Sequence, residues 1–160
     1  MENNYRDNVV DFAVVYLDKV IDDLEKNDFK TYEFTNYIYK QLFNTDINSN
    51  GYGLDNSTKQ MTNDIGDLKI YNELDSRKEN YLSDIKKGDL VFFHTKELNA
   101  SIPTINNHYP GHVGIYIGDK CFIHVLDNKI TIDKIEDKWL NCLVASRDII
   151  KDLSKRKTMF

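Results

Sequence analysis

Residues 112–125 read HVGIYIGDKCFIHV. Two runs of alternating β-branched and aromatic residues flank Gly118, Asp119 and Lys120, the composition of two strands joined by a tight turn. A histidine stands at the outer end of each run, His112 and His124. Register decides what this pair can do. With a three-residue connection, Ile117 faces Cys121 and Gly114 faces His124. Side chains alternate along a strand, so His112, Gly114, Tyr116, Phe122 and His124 then share one face. The two histidines become diagonal neighbours, about 7–8 Å apart at the backbone, and Gly114 leaves room for the rings to meet. A two-residue turn would put them on opposite faces. The other face carries Val113, Ile115 and Ile117 and reads as core.

Imidazole is the side chain best placed to move protons near neutral pH. One reading makes His112 a base oriented by the second polar ring of His124, the last two-thirds of a catalytic triad. A plainer reading makes both of them hydrogen-bonded polar residues at strand ends. A third is a metal site, because all four histidines (His94, His108, His112, His124) fall in one segment. Against metal, HYPGH at 108–112 contains Pro-Gly and cannot be a helical His pair. No Cys or acidic residue has clear ligand spacing. No metal and no cofactor are expected.

The rest of the chain supplies helices first and strands afterwards. Residues 5–27 carry Val10, Ala13, Val14, Leu17, Val20, Ile21 and Leu24 at the spacing of an amphipathic helix. A second helix is expected from about Thr31 to Phe43, with Phe34, Ile38 and Leu42 on one face. Thr31 can cap it, and Glu33 suits the positive end of its dipole. Residues 44–64, rich in Asn, Asp, Ser and Gly, read as a long loop. From residue 87 come KKGDLVFFH, HVGIYIG, CFIHVLD, KITIDKI and CLVASRDII, each a strand in composition. The order predicts an α+β fold with the helices on one face of an antiparallel meander.

At 160 residues, 41% hydrophobic and 29% charged, the chain suits one domain with a real core. The core is expected over about 8–150, with 151–160 as a C-terminal tail. A net charge of −5 and no basic stripe argue against nucleic acid and anionic membrane as partners. No stretch has the length of a membrane-spanning helix, and MENNYRDN is not a secretory signal. A cytoplasmic protein is expected, or one released by lysis or a non-classical route. Two cysteines, Cys121 and Cys142, are too few for a disulfide framework. Cys121 reads as a small core residue on the Ile117 side of the hairpin. The oligomeric state is not legible.

The stretch from Lys86 to Val125 resembles the NlpC family of papain-like cell-wall hydrolases. Gly88–Phe93 is similar to the family's GDLVFF-like strand. His112–Gly118 is similar to its HVGIYIG-like strand, which begins with the catalytic histidine. His124 stands where a second polar residue follows. VVDFAVVYL (9–17) looks like the first helix, STKQM (57–61) like the stretch of small polar residues before a Gln, and Trp139 with LVASRDII like the closing strand. The resemblance implies a papain-like fold and hydrolysis of an amide in a peptidoglycan stem peptide. It also implies a nucleophilic cysteine at the N-terminus of the second helix, aimed at by the two imidazoles.

At that position the chain departs from the family. A D-C-S-G-F-like run is expected, and Lys30-Thr31-Tyr32-Glu33-Phe34 stands there. Thr31 occupies the nucleophile position. A hydroxyl is far less acidic than a thiol, and threonine nucleophiles usually use their own α-amine as base. Thr31 is internal and also serves as a helix cap. A permuted arrangement would use Cys142 at the start of a late helix. Two readings follow: a hydrolase with Thr31 or Cys142 as nucleophile, His112 as base and His124 as orienting group, or a non-catalytic domain that binds cell-wall peptide or a protein partner.

Overall fold

The computed structural model describes residues 2–17, 31–44, 67–70, 78–93, 112–126 and 129–151. Six strands form one antiparallel sheet: β1 Asp67–Ile70, β2 Leu90–Phe93, β3 His112–Gly118, β4 Cys121–Leu126, β5 Lys129–Lys134 and β6 Leu143–Asp148. Their spatial order is β1-β6-β2-β3-β4-β5. The meander of β2 to β5 is as expected. The closing strand β6 returns between β1 and β2, and the edge strand β1 was not foreseen.

Alternation along the strands divides the core in two. Leu90, Phe92, Val113, Ile115, Ile123, Val125 and Ile130 face the helices α1 (Glu2–Val14) and α2 (Thr31–Phe43). Val91, Phe93, Tyr116 and Phe122 face the other way. There a 3-10 helix, Lys78–Asp84, contributes Leu82, and Ile85 follows it. The short helix α3 (Asp137–Cys142) contributes Trp139 and Cys142 to the same side.

Helix α2 has the expected bounds and buries Phe34 and Ile38 across β3 and β4. It ends at Asn44, whose φ of 52° is left-handed and whose N–H bonds to Lys40 O at 2.8 Å, closing the last turn. The expected loop beyond it lies mostly outside the described residues. Helix α1 differs in length and phase from expectation. The helix ends at Val14, and Tyr16 and Leu17 close it with bonds to Ala13 and Val14. Residues 18–27 of the expected helix lie outside the described residues. Val9 and Ala13 are fully buried, whereas Leu17 is 36% exposed. Arg6 explains the phase, because positions 6, 9 and 13 share a face.

Arg6 is buried beneath α1 and ties three segments together. Its Nη1 donates to Asp89 Oδ1 at 2.9 Å and to Lys87 O at 3.1 Å, and its Nη2 to Asp148 Oδ2 at 2.6 Å. The Tyr39 hydroxyl of α2 donates to Gly88 O beside this cluster. Gly88 itself has φ +89°, and a Cβ there would overlap Ile150 Cδ1.

The hairpin corrects one expectation and keeps its consequence. Asp119 and Lys120, with φ of 54° and 63°, form a two-residue turn closed by Gly118 opposite Cys121. A bulge at Ile117 then shifts the register, so Tyr116 faces Phe122 and Ile115 faces Ile123. The extra residue restores the pairing that a three-residue connection would give. Cys121 is not core: it lies half-exposed beside the turn, its Sγ 3.4 Å from Asp119 O. Cys142 is buried at the end of α3 and is followed by a strand, which removes the late helix that a permuted arrangement requires.

Candidate functional site

The bulge leaves His112 and His124 on the sheet face away from α1 and α2. Phe93 faces His112 across β2 and β3. Further along, a Cβ on Gly114 would lie 3.3 Å from His124 Cβ, so the glycine opens the space between the histidines. The rings meet edge to face, with centroids 5.0 Å apart, and His112 Nε2 lies 2.8 Å from His124 Nδ1. Two nitrogens that close point at each other and leave no room for an ion between them. His94 and His108 lie outside the described residues.

Trp139 forms the floor. Its ring lies 5.5 Å from His112 and 5.0 Å from His124. Phe122 packs 4.3 Å from His124 and Phe93 packs 6.2 Å from His112. In this apolar setting burial pushes His112 down to about 3, reinforced by His124 and opposed by Asp133. Burial pushes His124 down to about 3 as well. Both imidazoles are therefore neutral across the physiological range.

One polar partner was missed from sequence. Asp133 Oδ2 lies 2.7 Å from His124 Nε2. The signal was present in KITIDK: Ile130 and Ile132 pack on the helix side, so Thr131 and Asp133 must face the histidines. The register sets Asp133 opposite Phe122, one diagonal step from His124. From sequence Trp139 reads as part of a closing segment, whereas the structure makes it the floor of the histidine pair.

Thr31 is the first residue of α2, and its side chain lies outside the described residues. Helix α2 packs on β3 and β4 from the face opposite the rings. His112 opens β3 and lies half-buried at the strand's end. Nε2 is engaged by His124, and Nδ1 is the other ring nitrogen of His112; which of them carries the proton depends on the tautomers of the pair.

A sequence profile of the NlpC/P60 family matches residues 25–147. This chain belongs to that family. It is 37% identical over 70 residues to a probable endopeptidase NlpC homolog of Haemophilus influenzae, a match covering 42% of this chain. The matched stretch is 31% of that relative, so the chain spans about a third of its length. The fold is similar to the NlpC/P60 domain of the peptidoglycan hydrolase SagA, with a TM-score of 0.55 at 19% identity, covering 89% of this chain and 97% of that one. It is also similar to an NlpC/P60 family protein from Bacillus cereus, with a TM-score of 0.54 at 18% identity over 91% of this chain and 40% of that one. A protein similar to lipoprotein of the NLP/P60 family from Staphylococcus aureus gives 0.57 at 14% identity, over 92% and 42%. The chain described here is thus an NlpC/P60 domain of α+β, papain-like fold.

Proposed function

We propose that this NlpC/P60 domain hydrolyses an amide of a peptidoglycan stem peptide, with His112 as general base. The observation that carries this reading is the His112–His124 contact at 2.8 Å, which leaves the Nδ1 of a neutral imidazole to take up a proton. Thr31 is the proposed nucleophile. Its Oγ1 passes a proton to His112 Nδ1 and adds to the amide carbon. The imidazolium then protonates the departing nitrogen as the C–N bond breaks, leaving an ester on Thr31. Water gives a proton to Nδ1 and attacks the ester, the acid leaves, and the proton returns to Oγ1.

The test is incubation of the purified chain with muropeptides, read by mass spectrometry for a new amine and the gain of one water. Cleavage that disappears in both Thr31→Ala and His112→Ala supports the assignment. Cleavage that persists in His112→Ala overturns it.

A second reading rests on Thr31 itself. The resemblance calls for a thiol there, and Lys30, Tyr32 and Glu33 also depart from the family's run. A domain that keeps the site and lacks a competent nucleophile would bind stem peptide, or a protein partner, without cleaving it. Binding by the wild type with no cleavage is the result that selects this reading.

A further inference from the structure

We propose that Asp133 is a positioning residue that acts through His124 to hold His112 in the tautomer with its lone pair on Nδ1. The catalytic consequence rests on the hydrolase reading above, whereas the tautomer does not.

The argument follows the hydrogen bonds inward from the sheet edge. An ionised carboxylate can only accept, so across the 2.7 Å contact His124 Nε2 donates to Asp133 Oδ2. A neutral imidazole carries one N–H, so His124 Nδ1 must accept. Its partner at 2.8 Å is His112 Nε2, which therefore donates. The only proton of neutral His112 is then on Nε2, and Nδ1 is bare. The opposite tautomer of His124 would set two lone pairs face to face at 2.7 Å.

The surroundings give this choice to Asp133. His124 is 0% exposed, so water does not reach it to favour either tautomer. The groups facing the pair from β2, β4 and α3 are Phe93, Phe122 and Trp139, none of which titrates. From β5, Thr131 stands opposite His124. On α3, Lys138 holds its Nζ 5.7 Å from the Trp139 centroid. Asp133 is thus the one carboxylate in contact with the rings among the described residues.

The chemistry links this carboxylate to Thr31. A cysteine beside histidine can exist as a thiolate–imidazolium pair before substrate arrives. A hydroxyl cannot, and must lose its proton during attack to a base that is neutral and correctly oriented. The charge then formed on His112 needs a compensating anion, as in hydroxyl-nucleophile triads. Asp133 supplies that anion one ring away.

The experiment is long-range 1H–15N correlation on protein labelled with 15N-histidine, at pH 7. Both rings should show a protonated Nε2 and a bare Nδ1 in the wild type. In Asp133→Leu, His124 should populate the Nδ1–H form and lose the bond to His112, and Asp133→Glu should restore the wild-type pattern in part. On muropeptides, kcat should fall on the order of 10²-fold in Asp133→Leu with KM little changed. Should Asp133→Leu not fold, Asp133→Ala gives the same readout, since a methyl group can neither accept from His124 nor donate to it. Wild-type histidines with Nδ1–H, or tautomers that the Leu and Ala variants leave unchanged, would overturn the proposal. The expected tautomers in a protein that never cleaves muropeptide would support the relay while removing the hydrolase reading.

Discussion

The chain holds two buried polar clusters, and they are built differently. At the start of β3, His112, His124 and Asp133 form a line that ends on a half-exposed carboxylate. At the other end of the sheet, beneath α1, Arg6 sits between Asp89 and Asp148. There every carboxylate oxygen has a donor: Arg6 serves Asp89 Oδ1 and Asp148 Oδ2, the Lys86 N–H serves Asp89 Oδ2 at 2.9 Å, and the Lys151 N–H serves Asp148 Oδ1 at 3.3 Å. The carboxylates of the Arg6 cluster are saturated. In the histidine line His124 engages His112 Nε2, and Nδ1 is the nitrogen that the proposed reaction uses. A saturated buried ionic cluster locks segments in place, and an unsaturated one can do chemistry.

The largest effect should come from breaking the saturated cluster. Arg6→Met leaves two carboxylates buried with no cation, and should cost about 3–5 kcal/mol in urea denaturation. A loss below about 1 kcal/mol would mean that the carboxylates find water or a proton readily, and the contrast with the histidine line would be weaker than drawn.

The two clusters should also pull stability in opposite directions with pH. Folded His112 and His124 titrate near about 3, and unfolded histidine near 6.5. Between those values only the unfolded chain binds the proton, so stability falls as pH drops from about 6.5 toward 3. Burial and the Asp148 charge push Asp89 up to about 7, against an ordinary 3.8. Here the folded state binds the proton first, so stability rises as pH falls from about 7 toward 4 and offsets part of the histidine loss. Urea midpoints at pH 7, 5.5 and 4.5 should therefore fall more steeply in Asp89→Asn than in the wild type. Equal slopes would remove Asp89 from the account.

The histidine line was legible where alternation is strict, and the Arg6 cluster was not. β2 to β5 show β-branched and aromatic residues at period two, and the paired histidines followed from register alone. The same alternation in KITIDK placed Asp133, but an acidic residue in a strand reads by default as a solvated one. Helix α1 offers two competing stripes, Val10 with Val14 and Val9 with Ala13. The second wins because Arg6 lies on it, and a lone arginine in a polar N-terminus gives no sign that two aspartates more than 80 residues away will bury it. β1, only four residues at the sheet edge, carries too little pattern to stand out from its surroundings. The two-residue turn was hidden because a bulge at Ile117 has no sequence signature, although its effect on register equals that of one more loop residue.

A smaller effect is expected from closing the gap between the histidines. A Cβ at Gly114 would lie 2.6 Å from Phe122 Cδ2 and 3.0 Å from Ile123 O. Phe122 is fully buried and packs 4.6 Å from Phe93, so its ring has little freedom to yield. Gly114→Ala should cost about 1–3 kcal/mol. It should also move His124 off His112, seen as a change in the histidine 15N shifts. An unchanged histidine spectrum would show that the rings hold their contact without help from the glycine.

The smallest effect sharpens the comparison at one residue. Lys87 belongs to the buried cluster through its carbonyl, which accepts from Arg6, and to the surface through its ammonium, 3.9 Å from Asp7 Oδ1. Those two side chains are 53% and 60% exposed. In high dielectric such a pair gains little and is screened by salt. Asp7→Asn should therefore change stability by less than about 0.5 kcal/mol, with the difference gone at high salt. The loss in Arg6→Met should persist at high salt, because its charges are out of reach of mobile ions. If Asp7→Asn instead cost as much as a buried pair, the surface contact would be holding the Lys87 carbonyl on Arg6. The buried cluster would then extend to the solvent through Lys87, and the line between a sealed ionic lock and an open reactive site would no longer follow burial.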